Sequence, residues 1–241
     1  MDSVGVGLKR ALVRCAVVVA TCAALNLISP VVIAQQRTLH PGEEHTRVFD
    51  GPTPLSTTVT VGTSEGDDQV TITGRTELGG LDGGVTVDSY PATASSALPA
   101  AGRSGLTYLF PYRPERLSYP YTDPFAPETS DHPVALDYVG PGNVGGLDTY
   151  QYRAEVATEG YSAERIIDVQ VATGEVLDET WSVARGPATG LFRLSEASRA
   201  EARQRSVVEL RVLRGLQVLA WVTRWIALLA LVYLAVAVAR R

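Results

Sequence analysis

Trp225-Ile-Ala-Leu-Leu-Ala-Leu-Val-Tyr-Leu-Ala-Val-Ala-Val-Ala239, closed by Arg240 and Arg241, decides the architecture. The run carries no charge and no polar face. A helix that is apolar all round belongs in lipid or in a very large core. With residues 216–223 added, it can cross a hydrocarbon core of roughly 30 Å, which takes about 20 residues. Arg224 is the one charge inside. Its long stem, beside Trp221 and Trp225, puts its guanidinium near the outer boundary of the membrane.

Upstream of this span, residues 194–219 read as helix. Val207, Leu210, Leu213 and Leu216 form a stripe that packs on the chain's own β domain or on the first span, or else makes the segment a stalk that holds the β domain away from the membrane or pairs with another helix. Ser195 caps the helix, and Glu196 stands in its first turn, where the dipole favours negative charge. Unbroken from 195 to 239, such a helix is about 68 Å long at ~1.5 Å per residue, more than a bilayer needs.

A second apolar run covers residues 15–34, after Lys9, Arg10 and Arg14. It is longer than the ~7–15-residue core of a signal peptide, which favours an uncleaved span over cleavage after Val32-Ile33-Ala34. The basic amino end then stays in the cytoplasm and the middle of the chain is exported. Arg199, Arg203, Arg205, Arg211 and Arg214 on the outer flank go against the positive-inside rule, but the first segment usually sets orientation.

Charge divides the same way. Residues 35–194 hold 10 Arg and 22 Asp or Glu, whereas residues 1–34 carry +2 and residues 195–241 carry +5. So acidic a middle excludes nucleic acid as a partner, because phosphate binding needs clustered positive charge. Both cysteines, Cys15 and Cys22, lie in the first apolar segment, so the middle domain, 35–194, is held by its core and not by disulfides. One domain of about 160 residues is ordinary for a single core.

That domain reads as β. Residues 55–61, 69–73 and 85–87 alternate, with β-branched residues throughout, and 79–84 breaks the chain as a turn. Residues 106–110 are strand-like. Residues 134–139, 149–156, 165–171 and 176–183 are four clear strands, with 140–146 and 172–175 as connections, and 191–194 is a short last strand. Between 111 and 133, six prolines with Tyr112, Tyr119, Tyr121 and Phe125 between them forbid a central strand or helix. No helix of useful length falls between 35 and 194. The fold class is a mainly β exported domain, an antiparallel sheet or sandwich, flanked by amino- and carboxy-terminal transmembrane helices.

Chemistry is sparse. His40, His45 and His132 have no convergent ligand set around them, so neither a metal nor a cofactor is implied. There is no Gly-x-Ser-x-Gly elbow and no phosphate loop, and the only Lys, Lys9, is in the cytoplasmic tail. Asp67-Asp68 and Asp178-Glu179 are adjacent acids of a kind usually found in exposed turns, and Gly79–Gly84 with Asp82 is a turn before it is a calcium loop. The informative patch is Tyr112, Arg113, Arg116, Tyr119, Tyr121 and Asp123. Aromatics with fixed polar groups can line a site for a lipid or sugar headgroup, or the same rings can plug one end of the sheet.

Leu109-Phe-Pro-Tyr112, Leu117-Ser-Tyr-Pro-Tyr-Thr-Asp-Pro124, Leu136-Asp-Tyr-Val-Gly140 and Gly146-Leu-Asp-Thr-Tyr-Gln-Tyr152 occur in this order. Together they resemble the signature run of the actinobacterial porin PorA family, polar-growth-factor type, with residues 41–105 shortened. The resemblance implies an envelope protein and not a true pore. It also implies trafficking of mycolate-type lipids beside a lipid exporter, and it supplies no catalytic residue.

The function expected is thus that of a non-enzymatic, membrane-anchored cell-envelope protein. Both termini are cytoplasmic and the middle domain lies outside the inner membrane. Its partners are inner-membrane lipids, an envelope lipid or a lipid exporter. The alternative is a scaffold that binds another membrane protein through its helices.

Overall fold

The chain enters its sheet in the middle. The computed structural model describes residues 2–66, 68–80, 84–126 and 132–239. Asp67, Asp82, Arg240 and Arg241, named above, lie outside them. Helix α1 (Asp2–Gln35) precedes β1 (Glu44–Asp50), β2 (Leu55–Thr63), β3 (Gln69–Leu78) and β4 (Val85–Thr93). A long crossing then leads to β5 (Tyr119–Tyr121), β6 (Val134–Val144), β7 (Leu147–Thr158), β8 (Tyr161–Gln170), β9 (Val176–Ala184) and β10 (Gly190–Leu194). Helix α2 (Glu196–Ala239) follows. The ten strands form one sheet in the order β4-β3-β2-β1-β10-β9-β8-β7-β6-β5, with every pairing antiparallel. From β1 the chain walks to one edge, crosses to the other edge, and returns strand by strand until β10 pairs with β1, Phe49 opposite Leu194.

The sheet curls. Leu55 of β2 and Leu78 of β3 share one buried cluster with Leu136 of β6 and Tyr152 of β7, strands that stand near the opposite edge. The inside is filled by the crossing itself. Leu106, Tyr108, Phe110, Tyr119, Tyr121 and Phe125 are all buried. Phe125 packs 5.6 Å from Trp181, and Phe110 packs 5.2 Å from Tyr152. Gly74 of β3 makes room for this, since a Cβ there would run into the ring of Tyr108. The proline-rich segment can fill a core because its backbone needs few ladder bonds.

Three local expectations change. Residues 106–110 alternate as a strand would, but they form only a single bridge, Leu106 with Tyr121. Their alternation reports burial inside the curl. Residues 140–144 belong to β6 and not to a loop, and Pro141 sits opposite Tyr150. Proline is tolerated there because β5 pairs only with residues 134–136, so the rest of β6 is an edge. The strand β1 gave no alternating apolar signal because Arg47 takes one of its inward positions.

By its contacts the chain divides into two units, residues 37–208 and residues 1–36 with 209–241. In the first, Ser195 caps α2 as expected, accepting the Ser198 N–H at 3.3 Å. The hydroxyl of Ser198 in turn accepts the N–H of Val48 at 3.0 Å. The helix face against the strands is made of small residues, Ser198, Ala202 and Ser206, all buried. Arg199 and Arg205 reach Asp178 at 3.6 Å and Glu175 at 2.6 Å.

In the second unit, both helices are long and apolar enough to cross a membrane. Cys15, Cys22 and Ser29 of α1 are buried, as are Leu213 and Thr223 of α2. The Cys15 thiol lies 3.6 Å from the carbonyl of Ala230.

Candidate functional site

The six residues singled out in the sequence divide into an inner and an outer set. Tyr119, Tyr121 and Asp123 face the core, where they meet charges that the sequence reading did not bring together. Arg165 on β8 falls in step with inward Tyr161, Ala163, Ile167 and Val169, and Glu179 on β9 with Leu177, Trp181 and Val183. The Nε of Arg165 donates to Glu179 Oε1 at 2.6 Å, and Arg47 Nη1 donates to Glu179 Oε2 at 3.0 Å. Arg165 Nη1 donates to the carbonyl of Thr107 and to the hydroxyl of Tyr121, each at 2.9 Å. Arg47 also donates to the carbonyl of Tyr108. The Tyr121 hydroxyl donates to Asp123 Oδ2 at 3.2 Å, and Tyr161 donates to Asp123 Oδ1 at 2.9 Å.

Two guanidiniums thus face two carboxyls inside the curl, bonded to the backbone of the crossing segment. Burial alone would raise the Glu179 carboxyl, but Arg165 and Arg47 outweigh it and hold it below the ordinary range. Asp123 moves the other way. Burial lifts it, against the Phe125 N–H and the Tyr161 hydroxyl, which favour its charged form. This arrangement locks the crossing segment in place. Glu179 and Asp123 are each bonded to donors of this cluster. Asp178 and Glu179 cannot converge, because neighbours on a strand point to opposite faces.

The outer set is Tyr112, Arg113 and Arg116. Their loop is pinned by two tyrosines at Glu115: Tyr152 donates to its carbonyl at 2.6 Å, and its N–H donates to the Tyr119 hydroxyl at 2.7 Å. Arg116 lies over the ring of Tyr150 at 5.1 Å and donates to its hydroxyl at 3.1 Å. Tyr138 meets Tyr150 edge-on at 5.5 Å. Arg113 is exposed and has a left-handed backbone, φ 53°, which is uncommon away from glycine.

Arg37, which the sequence reading passed over, belongs with this set. Leu39 and Leu109 pack on one cluster beside Tyr108, so the chain after α1 and the loop after Leu109 run together. The guanidinium of Arg37 is held below its ordinary value, first by burial and then by the charge of Arg113, with Tyr112 acting the other way. Neither arginine has a carboxylate within ion-pair distance among the described residues.

A cleft of about 450 Å³ opens where the two sheet edges approach. Thr86, Asp88 and Tyr90 of β4 line one side, and Arg103, Thr122 and Asp123 the other. Arg103 closes much of it, paired to Asp88 and lying 4.2 Å over Tyr90. His45 stands 3.9 Å from Glu175. No group of three His, Cys, Asp or Glu suited to a metal occurs among the described residues.

The family model described as Porin PorA matches residues 30–208. The chain belongs to this family. The matched span covers the whole curled sheet, the crossing segment and the first turns of α2. No curated protein matches the chain. A PorA-family domain between two apolar helices fits a membrane-associated envelope protein. In this PorA-family domain the sheet's interior is occupied by aromatic rings and by the Arg47–Glu179–Arg165 cluster.

Proposed function

We propose that the protein is a non-enzymatic, membrane-anchored envelope factor whose exported β domain binds envelope lipid by its polar head, at the rim formed by Arg37, Tyr112, Arg113 and Arg116. One observation carries this reading. In a domain with more than twice as many acids as arginines, Arg37 and Arg113 stand together without a carboxylate among the described residues. Holding two like charges close costs free energy that an anionic head would offset. Guanidinium forks suit phosphate and carboxylate, and they also donate to sugar hydroxyls. The Tyr138–Tyr150 pair adds apolar cover beside Arg116. Arg37 is the second residue after α1 ends at Gln35. Mycolate-type lipids and support of a lipid exporter are the finer form of the same reading.

The test is lipid retention, read by native mass spectrometry of the full chain in detergent with anionic phospholipid, neutral glycolipid or phosphatidylcholine added. Anionic lipid is expected to stay bound, and Arg37→Ala with Arg113→Ala to release it. Equal retention of all three lipids, or retention unchanged in the double variant, overturns the reading.

A further inference from the structure

Another arginine without a carboxylate partner lies in the helical unit. Arg224 Nε donates to Asn26 Oδ1 at 3.2 Å. The same amide donates through Nδ2 to Thr223 Oγ1 at 2.7 Å and to the carbonyl of Cys22 at 2.9 Å. Thr223 is itself tied to the carbonyls of Leu219 and Ala220. Pro30, inside α1, has no N–H to give to the carbonyl of Asn26. The result is a compact polar cluster across the two helices, with the Arg224 side chain still exposed.

The sequence put Arg224 at the outer boundary of the span. Trp221 and Trp225 suggested that boundary, but the pairing of α2 with α1 was not readable from either helix alone. Asn26 is eight residues before Ala34, about 12 Å along the helix, and Val31, Val32 and Ile33 between them are apolar. On α2, ten residues, about 15 Å, separate Arg224 from Arg214. Both helices therefore put the cluster well inside an apolar stretch. The bond to Asn26 holds the guanidinium Nε towards α1.

No acid of this chain can neutralise it. The sequence has no Asp or Glu between Asp2 and Glu43, and none after Glu209. A charge within an apolar span is costly and is kept where it has a partner. We propose that Arg224, held by Asn26 and Thr223, is the recognition point for a partner membrane helix that carries an Asp or Glu at the matching depth. Trp221 and Trp225, exposed beside Arg224 and 5.9 Å apart, supply apolar contact around the charge pair. The ion pair gives register and selectivity, because an apolar helix has no acid to offer and a second copy of this chain has none either. The inference uses residues separate from the lipid rim and does not depend on it.

The experiment reconstitutes the full chain in phosphatidylcholine vesicles with a synthetic leucine-rich membrane peptide bearing one central Glu. Matched peptides carry Gln or Leu at that position. Energy transfer from the protein's tryptophans to a dansyl group on the peptide reads association. The Glu peptide is expected to associate at least tenfold more tightly than the Gln peptide. Arg224→Leu removes that preference, and Asn26→Leu weakens it. Arg37→Ala with Arg113→Ala leaves it intact, so failure of the lipid reading and failure of this one are told apart. Equal association of Glu and Gln peptides overturns the proposal, as does a preference that survives Arg224→Leu. A preference erased by phosphatidylglycerol also overturns it, since lipid phosphate would then be the partner of Arg224.

Discussion

Arg165 and Arg224 are both arginines held by polar neighbours, and the chain treats them in opposite ways. Arg165 is surrounded by groups from its own sheet: Glu179, the Tyr121 hydroxyl, the carbonyl of Thr107 and the face of Trp181 at 4.8 Å. Arg224 has one amide oxygen. The first arrangement is closed, and a closed buried ion cluster serves the fold it sits in. The second is open, and an open one points to something outside the chain. The pair Arg37 and Arg113 at the rim stands on the open side of the same division. Charge within the fold is thus a guide to function here less by its presence than by whether it is already balanced.

The comparison can be broken at its closed end. Glu179→Gln leaves Arg47 and Arg165 buried without their shared anion, and urea denaturation should show a loss of about 3–5 kcal/mol. A loss under about 1 kcal/mol would mean that the cluster is not the lock described. Tyr121→Phe removes one hydroxyl between Arg165 and Asp123, with an expected cost of about 1–3 kcal/mol in the same measurement.

Acid titration sharpens the contrast between the two buried carboxyls. Glu179 titrates lower when folded than its ordinary 4.5, so its contribution is present above that value and is lost as pH falls through the folded one. Asp123 titrates above its ordinary 3.8, so the folded chain keeps that proton longer and offsets part of the acid loss. Asp123→Asn removes the offset. Between about pH 5 and pH 3, its stability should fall more steeply than that of the unaltered chain, by up to about 1.4 kcal/mol per pH unit. A slope unchanged or shallower contradicts the opposite signs. The smallest effect belongs to the open side: Arg113→Ala should alter stability by no more than about 0.5 kcal/mol while reducing retention of anionic lipid.

The same division explains what could be read from the sequence. The apolar helices, the Ser195 cap and the alternating strands other than residues 106–110 follow from local patterns, and each is where those patterns put it. Inward Arg165 and Glu179 were also legible in principle, since each keeps the two-residue step of its strand. Taking Glu179 together with Asp178 hid this, because adjacent strand residues face apart. The crossing segment was harder. Its prolines excluded a central strand or helix and left its rings as a headgroup site or a plug at one end of the sheet, whereas the curl of the sheet makes the segment the filling. The rim's Arg37 and the pairing of Arg224 with Asn26 depend on long-range contact, 198 residues apart in the second case, and no window of sequence contains them.

One consequence follows from the way β1 meets β10. Phe49 must wait for Leu194, so the seam between the earliest and latest strands is stitched only after nearly the whole chain has emerged. Until then β1 offers bare amides and carbonyls along one side, a ready template for unwanted pairing. Its alternate charged and polar residues, among them Glu44, His45, Arg47 and Asp50, suit a strand that has to stay soluble while it waits.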